Sequence, residues 1–245
     1  APRPMTITPT VASPTAPSTT RLQVDVWSDV ACPWCFIGKR RFAAALEQFE
    51  HREHVDVTWR SYELAPDAEV GSTLTEAELL VERKGIPLEA VTEMFEQVTA
   101  MAAAEGLTYD FATVRPANTF DAHRLIHLAG AFGLDVADAV VEALMTAHFG
   151  HGVAVDDREE LVAIAEQCGL PGSDVRAALA GDAAGQAAGA AVRADIDQAR
   201  AIGITGVPFF AFDRRLAVSG AQSTELFASA LDQAWAGLEP ESDLA

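Results

Sequence analysis

The sequence has few cysteines, few basic residues and no long apolar run, and each shortage excludes a class of protein. Three cysteines in 245 residues are too few for a disulfide-rich secreted scaffold. With 17 basic and 36 acidic residues, the formal charge of -19 argues against partners such as nucleic acid or an anionic membrane surface. No run of about 18 apolar residues occurs, so no segment is predicted to span a membrane.

The amino-terminal segment lacks the apolar stretch of a signal peptide and is rich in proline, threonine and serine. This composition predicts a flexible tail at 1–20, and a second short tail is predicted at 239–245. One close cysteine pair in an odd total favours a reducing compartment, so we expect a cytoplasmic location. A secreted protein whose signal had already been removed would begin in the same way.

Between the tails, 49% hydrophobic content is enough for a sizeable core. Residues 22–28 and 55–59 alternate apolar and polar side chains, which is typical of strands, and a helix is predicted between them with Pro33 in its first turn. Strand patterns return at 209–212 and 216–218, joined by a tight Asp213-Arg214 turn, and an amphipathic helix begins near Ser223. The order indicates an α/β protein with a large helical block in the middle.

The helical block carries several start and stop signals. Thr75 and Glu78 have the spacing of a capping box, and glycines 106, 133 and 169 stand where helices should end. The predicted helices are 74–84, 88–105, 118–132, 136–149, 157–168, 173–180 and one that ends near 202.

The pair Cys32 and Cys35 has three possible roles. A zinc site needs four ligands, but only one such pair occurs and Cys168 stands alone. A purely structural disulfide would close a very short loop and would add little stability. Redox chemistry is the remaining role.

Four histidines come in helically spaced pairs, His123 with His127 and His148 with His151. They lie far from the cysteine pair along the chain and lack the glutamate of a helical zinc-hydrolase motif. We therefore predict no metal site. The histidines are expected to be polar residues of helix faces, with His123 beside Asp121 and His148 at a helix end.

The position of the cysteine pair at the start of a helix predicts two unequal thiols. The sulfur of Cys32 would face unpaired backbone N–H groups and the positive end of the helix dipole, and both favour the thiolate. Cys35 lies one turn into the helix, on the face shared with Phe42, Leu46 and Phe49, and should be buried. The pattern therefore predicts that Cys32 attacks and that Cys35 resolves.

Other side chains are expected to be structural or to contact substrate. Trp34 is predicted to offer a partly exposed apolar contact for substrate. Cys168 is expected to be a buried, inert thiol, and Phe36, Trp27 and Trp59 are expected in the core.

The segments SDVACPWCFIGKRRF, NTFDAHRLIHLA and GITGVPFFAFD resemble the DsbA branch of the thioredoxin superfamily, and more narrowly its FrnE-like oxidoreductases. The resemblance runs from about Leu22 to Leu238. It implies a thioredoxin fold with a large all-helical insertion domain. Residues 21–64 and 201–238 would form a discontinuous thioredoxin-like domain, and residues 65–200 would form the insertion.

The resemblance also assigns roles to residues. Cys32 and Cys35 match the redox pair, and Pro208 matches a proline that follows a cis peptide bond opposite that pair. Val207 would present its backbone to an incoming peptide or thiol, and with Pro33, Trp34 and Pro208 it forms the expected substrate-binding set. No cofactor is implied beyond the redox-active disulfide, with a low-molecular-weight thiol as an optional co-substrate. The expected partners are protein or small-molecule thiols and disulfides.

Two departures from the family pattern matter. Val26 stands where relatives carry a buried acid, and the neighbouring Asp25 should point to the other face of the strand. We expect Ser28 and Asp29 in the following loop, and their help in moving protons is a hypothesis. Trp34 replaces the histidine of periplasmic DsbA, so the resemblance implies a weaker oxidant than DsbA.

Two other functions remain open. The 2-hydroxychromene-2-carboxylate isomerases and kappa-class glutathione transferases resemble the same architecture, but they typically carry serine at the first cysteine position. A non-catalytic chaperone or binding module is the other alternative. The sequence does not indicate the substrate, the direction of electron flow, the oligomeric state or any role in polyketide biosynthesis.

Overall fold

The computed structural model describes residues 20–238, and that part of the chain contains four strands and nine α-helices. The strands are β1 (Leu22–Ser28), β2 (Val55–Ser61), β3 (Phe209–Phe212) and β4 (Leu216–Ser219). The helices are α1 (Pro33–Gln48), α2 (Glu76–Lys84), α3 (Leu88–Ala104), α4 (Phe120–Gly130), α5 (Leu134–His151), α6 (Arg158–Gln167), α7 (Gly172–Ala180), α8 (Ala183–Ala201) and α9 (Thr224–Ala236). The two predicted tails lie outside the described residues, apart from position 20.

The four strands form one mixed sheet in the order β2-β1-β3-β4. β1 and β2 are parallel, and α1 supplies the crossover that a parallel pair requires. β3 is antiparallel to both β1 and β4. The predicted tight turn between β3 and β4 is confirmed, because Asp213 and Arg214 both have positive φ, at 48° and 57°.

Helices cover both faces of this sheet because successive side chains of β1 point to opposite sides. On one face, the Phe42 ring of α1 lies 5.2 Å from Phe210 and 5.6 Å from Phe227 of α9, measured between centroids. On the other face, Trp27 packs beside α8 and its indole N–H donates to the Asp195 backbone oxygen at 3.1 Å. The α/β architecture implied by the sequence is therefore confirmed.

The central helical block contains α2 to α8, and the bounds of these helices lie close to those predicted for the individual helices. The capping box at the start of α2 is confirmed, since the Glu78 amide donates to Thr75 Oγ1 at 3.2 Å and the Thr75 amide donates to Glu78 Oε2 at 2.7 Å. Buried apolar side chains of α1 and of α3 to α7 belong to one continuous cluster that includes Cys32 and Cys35, whereas Ala199 of α8 belongs to a smaller cluster with Trp27. Within residues 20–238, no helix combines the length and the apolar character needed to cross a membrane.

Candidate active site

Cys32 is the residue immediately before α1, as the sequence pattern predicts. Its backbone is extended (φ -94°, ψ 113°), and Pro33 follows in the first helical position, where a missing N–H costs nothing. The Cys32 amide donates to the Asp29 oxygen at 3.0 Å, which fixes the turn leading from β1 into the helix. The local fold therefore places the Cys32 sulfur at the positive end of α1.

The loop before β3 meets the cysteine pair from the other end of the chain. The Val207–Pro208 peptide bond is cis, and the Cys32 Sγ donates to the Val207 carbonyl oxygen at 3.7 Å. Gly38 of α1 allows this approach, because a Cβ there would lie 2.9 Å from Pro208 Cγ. The structure thus brings both cysteines, Val207 and Pro208 into one site.

Cys35 lies one turn into α1 and is only 1% exposed. Burial raises the pKa of the Cys35 thiol well above its usual value, and a negative charge on Cys32 would raise it further. The Ser28 hydroxyl and the Asp29 backbone N–H act in the opposite direction. Cys35 is consequently a protonated thiol at neutral pH, and this suits a second step better than a first attack.

A cavity of about 290 Å³ opens beside Cys32. Trp34, which is 40% exposed, lines this cavity, and the exposed side chains of Leu64 and Met94 line it too. Aromatic rings close much of the remainder, namely Phe95, Phe111 and Phe149. The cavity is therefore largely apolar, and it gives a ligand access to the sulfur of an otherwise buried Cys32.

Tyr109 supports the start of α1, although nothing in the sequence singled it out. Its hydroxyl donates to the Pro33 carbonyl oxygen at 2.6 Å, and its ring stacks on Phe36 with 6.3 Å between centroids. Burial raises the pKa of Tyr109, so the hydroxyl remains a hydrogen-bond donor. This contact joins residues 76 positions apart, which no local pattern could reveal.

The histidines of α4 are placed differently from the prediction. His123 is buried, its Nε2 lies 3.0 Å from the Tyr62 oxygen and 3.5 Å from Asp29 Oδ1, and Asp121 pairs with Arg124 instead. His127, one turn further, lies 2.9 Å from an Asp195 carboxylate oxygen. The expectation of a histidine beside Asp121 is therefore wrong, because this face of α4 packs against the segment that follows β2.

The histidines of α5 differ from each other. His148 lies in the last turn of the helix as expected, but it is buried, and burial lowers its pKa to about 4. Its Nδ1 has no hydrogen-bond partner among the described residues. His151 is exposed. Within residues 20–238, no group of three or more histidine, cysteine or acidic side chains is arranged to hold a metal ion.

Asp29 forms a buried polar centre next to the cysteine pair. Burial opposes ionisation of its carboxyl group, but hydrogen bonds from His123, the Leu64 amide and Thr119 outweigh burial and lower its pKa. Its Oδ2 accepts from the Leu64 amide at 2.8 Å. Ser28 was expected in the loop, but it is the last residue of β1.

The remaining predictions are partly confirmed. Phe36, Trp27 and Trp59 are buried, and Trp34 is partly exposed. Cys168 is half-buried at the end of α6 rather than fully buried, so that prediction is wrong. The end of the helix leaves one side of this cysteine uncovered.

Val26 is completely buried on the face that packs against the main core. Asp25 points the other way, as predicted, and accepts from Arg60 Nε at 2.7 Å. The core side of β1 therefore carries no carboxylate next to the cysteine pair.

Comparison with known proteins gives the same architecture. A family model described as DSBA-like thioredoxin domain matches residues 23–232. A crystal structure of a probable DsbA oxidoreductase from Streptomyces coelicolor is 41% identical, with 90% of this chain and 92% of that chain covered and a TM-score of 0.81. No protein of curated function matches the chain.

More distant structures share the fold. A 2-hydroxychromene-2-carboxylate isomerase is 19% identical over 89% of this chain and 100% of that chain, with a TM-score of 0.60. The cytosolic disulfide reductase DsbM from Pseudomonas aeruginosa, determined with GSH, is 18% identical over 87% of this chain and 99% of that chain, with a TM-score of 0.58. The family model over residues 23–232 and the 41% identity to the Streptomyces coelicolor protein, together with the thioredoxin-type sheet and the cysteine pair at the start of α1, show that the chain belongs to the DSBA-like thioredoxin domain family.

Proposed function

We propose that this protein is a thiol–disulfide oxidoreductase in which Cys32 is the nucleophile and Cys35 is the resolving thiol. The observation that carries the proposal is the asymmetry of the pair. Cys32 lies at the helix start and lines a cavity, whereas Cys35 is sealed behind it as a protonated thiol. The position of the Cys32 sulfur at the positive end of α1 is the reason for assigning it the first attack.

The proposed reaction has two exchange steps. The Cys32 thiolate attacks a substrate disulfide, forms a mixed disulfide and releases one substrate sulfur as a thiolate. Cys35 then loses its proton and attacks the Cys32 sulfur, which closes the Cys32–Cys35 disulfide and releases the second substrate thiol. Two electrons pass from the cysteine pair to the substrate. When the cysteine pair starts as a disulfide, the same steps run in reverse and the substrate is oxidised.

The lining of the cavity favours substrates that carry an apolar or aromatic group beside the reacting sulfur. Trp34, Leu64 and Met94 expose apolar surface around the opening. Exposed apolar surface in a defined patch is typical of a binding site. The carbonyl oxygen of Val207 faces the Cys32 sulfur. An extended peptide or a small thiol would therefore pass between the loop that carries Val207 and the side chain of Trp34.

Trp34→Ala should weaken binding of an apolar peptide disulfide by about tenfold in KM, because the substrate loses part of the apolar surface that it buries. Exchange with a small hydrophilic disulfide should change little. Phe132→Ala is the matched control, since Phe132 is also an exposed aromatic residue but does not line the cavity. Steady-state kinetics with both disulfides measure the effect, and equal losses in the two variants would argue against binding at this cavity.

A glutathione-dependent isomerase is the second candidate, because a 2-hydroxychromene-2-carboxylate isomerase shares the fold. Parallel assays of the wild-type protein separate the two functions. We expect reduction of insulin disulfides with reduced glutathione as the electron donor, and no isomerisation of a hydroxychromene carboxylate. Isomerisation without insulin reduction would overturn the proposal, and suppression of aggregation without either reaction would favour a chaperone module.

A FrnE-like subtype, a cytoplasmic location and a low-molecular-weight thiol as co-substrate remain part of this proposal. The paucity of cysteine supports a reducing compartment.

A further inference from the structure

The cavity beside Cys32 contains a single acidic side chain. Glu76, the first residue of α2, lines this cavity together with Cys32, and it is half-buried there. Its carboxylate forms no hydrogen bond or ion pair with another side chain of the described residues, and burial raises its pKa above the ordinary value of 4.5. Only the more distant charge of Lys84 acts in the opposite direction. A positively charged ligand would therefore relieve the cost of this partly buried charge.

The rest of the cavity wall offers no positive charge to balance Glu76. No lysine or arginine is among the residues that line it. His148 lines it too, but this ring is buried and neutral, since burial lowers its pKa to about 4. Gln97 is uncharged, and a thiolate on Cys32 would add a second negative charge. The electrostatic field inside the cavity is consequently negative.

The aromatic lining favours the same kind of ligand. The rings of Trp34, Phe95, Phe111 and Phe149 line the cavity. Aromatic faces attract ammonium and guanidinium groups, and a carboxylate in apolar surroundings attracts them more strongly than it does in water. A formal charge of -19 on the whole chain also draws cations towards the protein.

We propose that Glu76 is a specificity-determining residue that selects thiols and disulfides with a positively charged amine or guanidinium group beside the reacting sulfur. This inference rests on the proposed function and leaves its two exchange steps unchanged. The cation would lie between the Glu76 carboxylate and the aromatic wall while the sulfur meets Cys32. Glutathione, whose two carboxylates outnumber its one amine, should react more slowly than cysteamine, although it still serves as a donor at millimolar concentration.

Three symmetrical disulfides of similar size test the role of charge. Cystamine carries two ammonium groups, 2-hydroxyethyl disulfide carries no charge, and 3,3′-dithiodipropionate carries two carboxylates. Reduced protein in a Cys168→Ser background is mixed with each disulfide at pH 8 and quenched with N-ethylmaleimide, and the remaining thiols are counted by intact mass. Comparison of each variant with the wild type on the same disulfide cancels the intrinsic reactivity of that disulfide.

Glu76→Gln should lower the rate with cystamine about fivefold relative to the neutral disulfide and should raise the rate with dithiodipropionate by a similar factor, because a nearby charge is lost. Glu76→Lys should shift both relative rates further in the same directions. Glu96→Gln is the matched control, since Glu96 is exposed between Phe95 and Gln97 of α3 but does not line the cavity. Equal effects of Glu76→Gln and Glu96→Gln would assign the selectivity to net charge and overturn the inference.

A probe that cannot exchange sulfur tests binding alone. In the wild type, 2-phenylethylammonium should slow alkylation of Cys32 by iodoacetamide, whereas 3-phenylpropionate should not. The protection should be lost in Glu76→Gln and retained in Glu96→Gln. Protection that persists in Glu76→Gln would contradict the inference.

A pair of peptide disulfides that differ only in lysine or glutamate beside the half-cystine identifies the source of the cation. Preference for the lysine peptide as well as for cystamine would indicate protein substrates, and preference for cystamine alone would indicate small aminothiols.

The inference can fail independently of the proposed function. Protection by 2-phenylethylammonium in a wild-type protein that does not reduce insulin would count against the proposed function alone. Insulin reduction by the wild type with relative rates that Glu76→Gln leaves unchanged would count against charge selection alone.

Discussion

Cys32→Ser should reduce insulin-reducing activity at least about a thousandfold, because the reaction has no other nucleophile at the helix start. Cys35→Ser should behave differently. This variant keeps the attacking sulfur of Cys32 but lacks the thiol that resolves the mixed disulfide. A mixed disulfide between Cys32 and a substrate thiol should therefore accumulate. Intact mass measurement after incubation with oxidised substrate would detect that adduct, and added glutathione should release it.

Cys168→Ser is the matched control for both variants, since Cys168 lies at the end of α6 and does not line the cavity beside Cys32. Its activity should equal that of the wild type. Insulin reduction retained in Cys32→Ser would exclude the proposed chemistry. Suppression of aggregation that survives in Cys32→Ser would identify a separate holding activity in the helical block.

His148 should make the folded protein unstable in acid. Its pKa is about 4 in the fold, against an ordinary value of 6.5, because burial disfavours the charged ring. Between these values the unfolded chain binds a proton that the folded chain does not, so the free energy of unfolding falls as the pH falls from 6.5 towards 4. The total loss from this one group is about 3 kcal/mol, and at neutral pH and above it contributes no loss.

Urea unfolding at pH 7.5 and at pH values near 4.5 would measure this loss. His148→Phe keeps a buried aromatic ring without a titrating nitrogen, so its free energy of unfolding should fall less on acidification, by about 2–3 kcal/mol. His151→Phe is the matched control, because His151 is exposed in the same helix turn and should leave the pH dependence unchanged. Carboxylates remote from position 148 contribute equally in all three proteins. If the wild type and His148→Phe lost stability in parallel, His148 would not be held neutral by the fold.

The start of α1 shows why much of this site was predictable. The start of the helix at Pro33 depends on residues within one turn of that position, and Cys32 directly precedes this start. The same holds for the capping box of Thr75 and Glu78. The position of Pro208 opposite the pair was implied by family resemblance rather than by local pattern.

The environment of the histidines shows what was not predictable. His123 and His148 each have a second histidine at helical spacing, which is also found among exposed residues. The sequence therefore predicted that both lie on polar helix faces. Their burial depends on the segment after β2 and on the chain beyond α5, which cover them only in the folded protein.

The sequence by itself determined the order of strands and helices and the position of the Cys32 sulfur at a helix start. These features depend on periodicity and on caps, which act over a few residues. Only the tertiary structure decided that Tyr109 holds Pro33, that Gly38 admits Pro208, and that Ser28 and His123 line the same small cavity. Contacts of that kind join distant parts of the chain, and they are set by how the elements pack together rather than by the residues next to them.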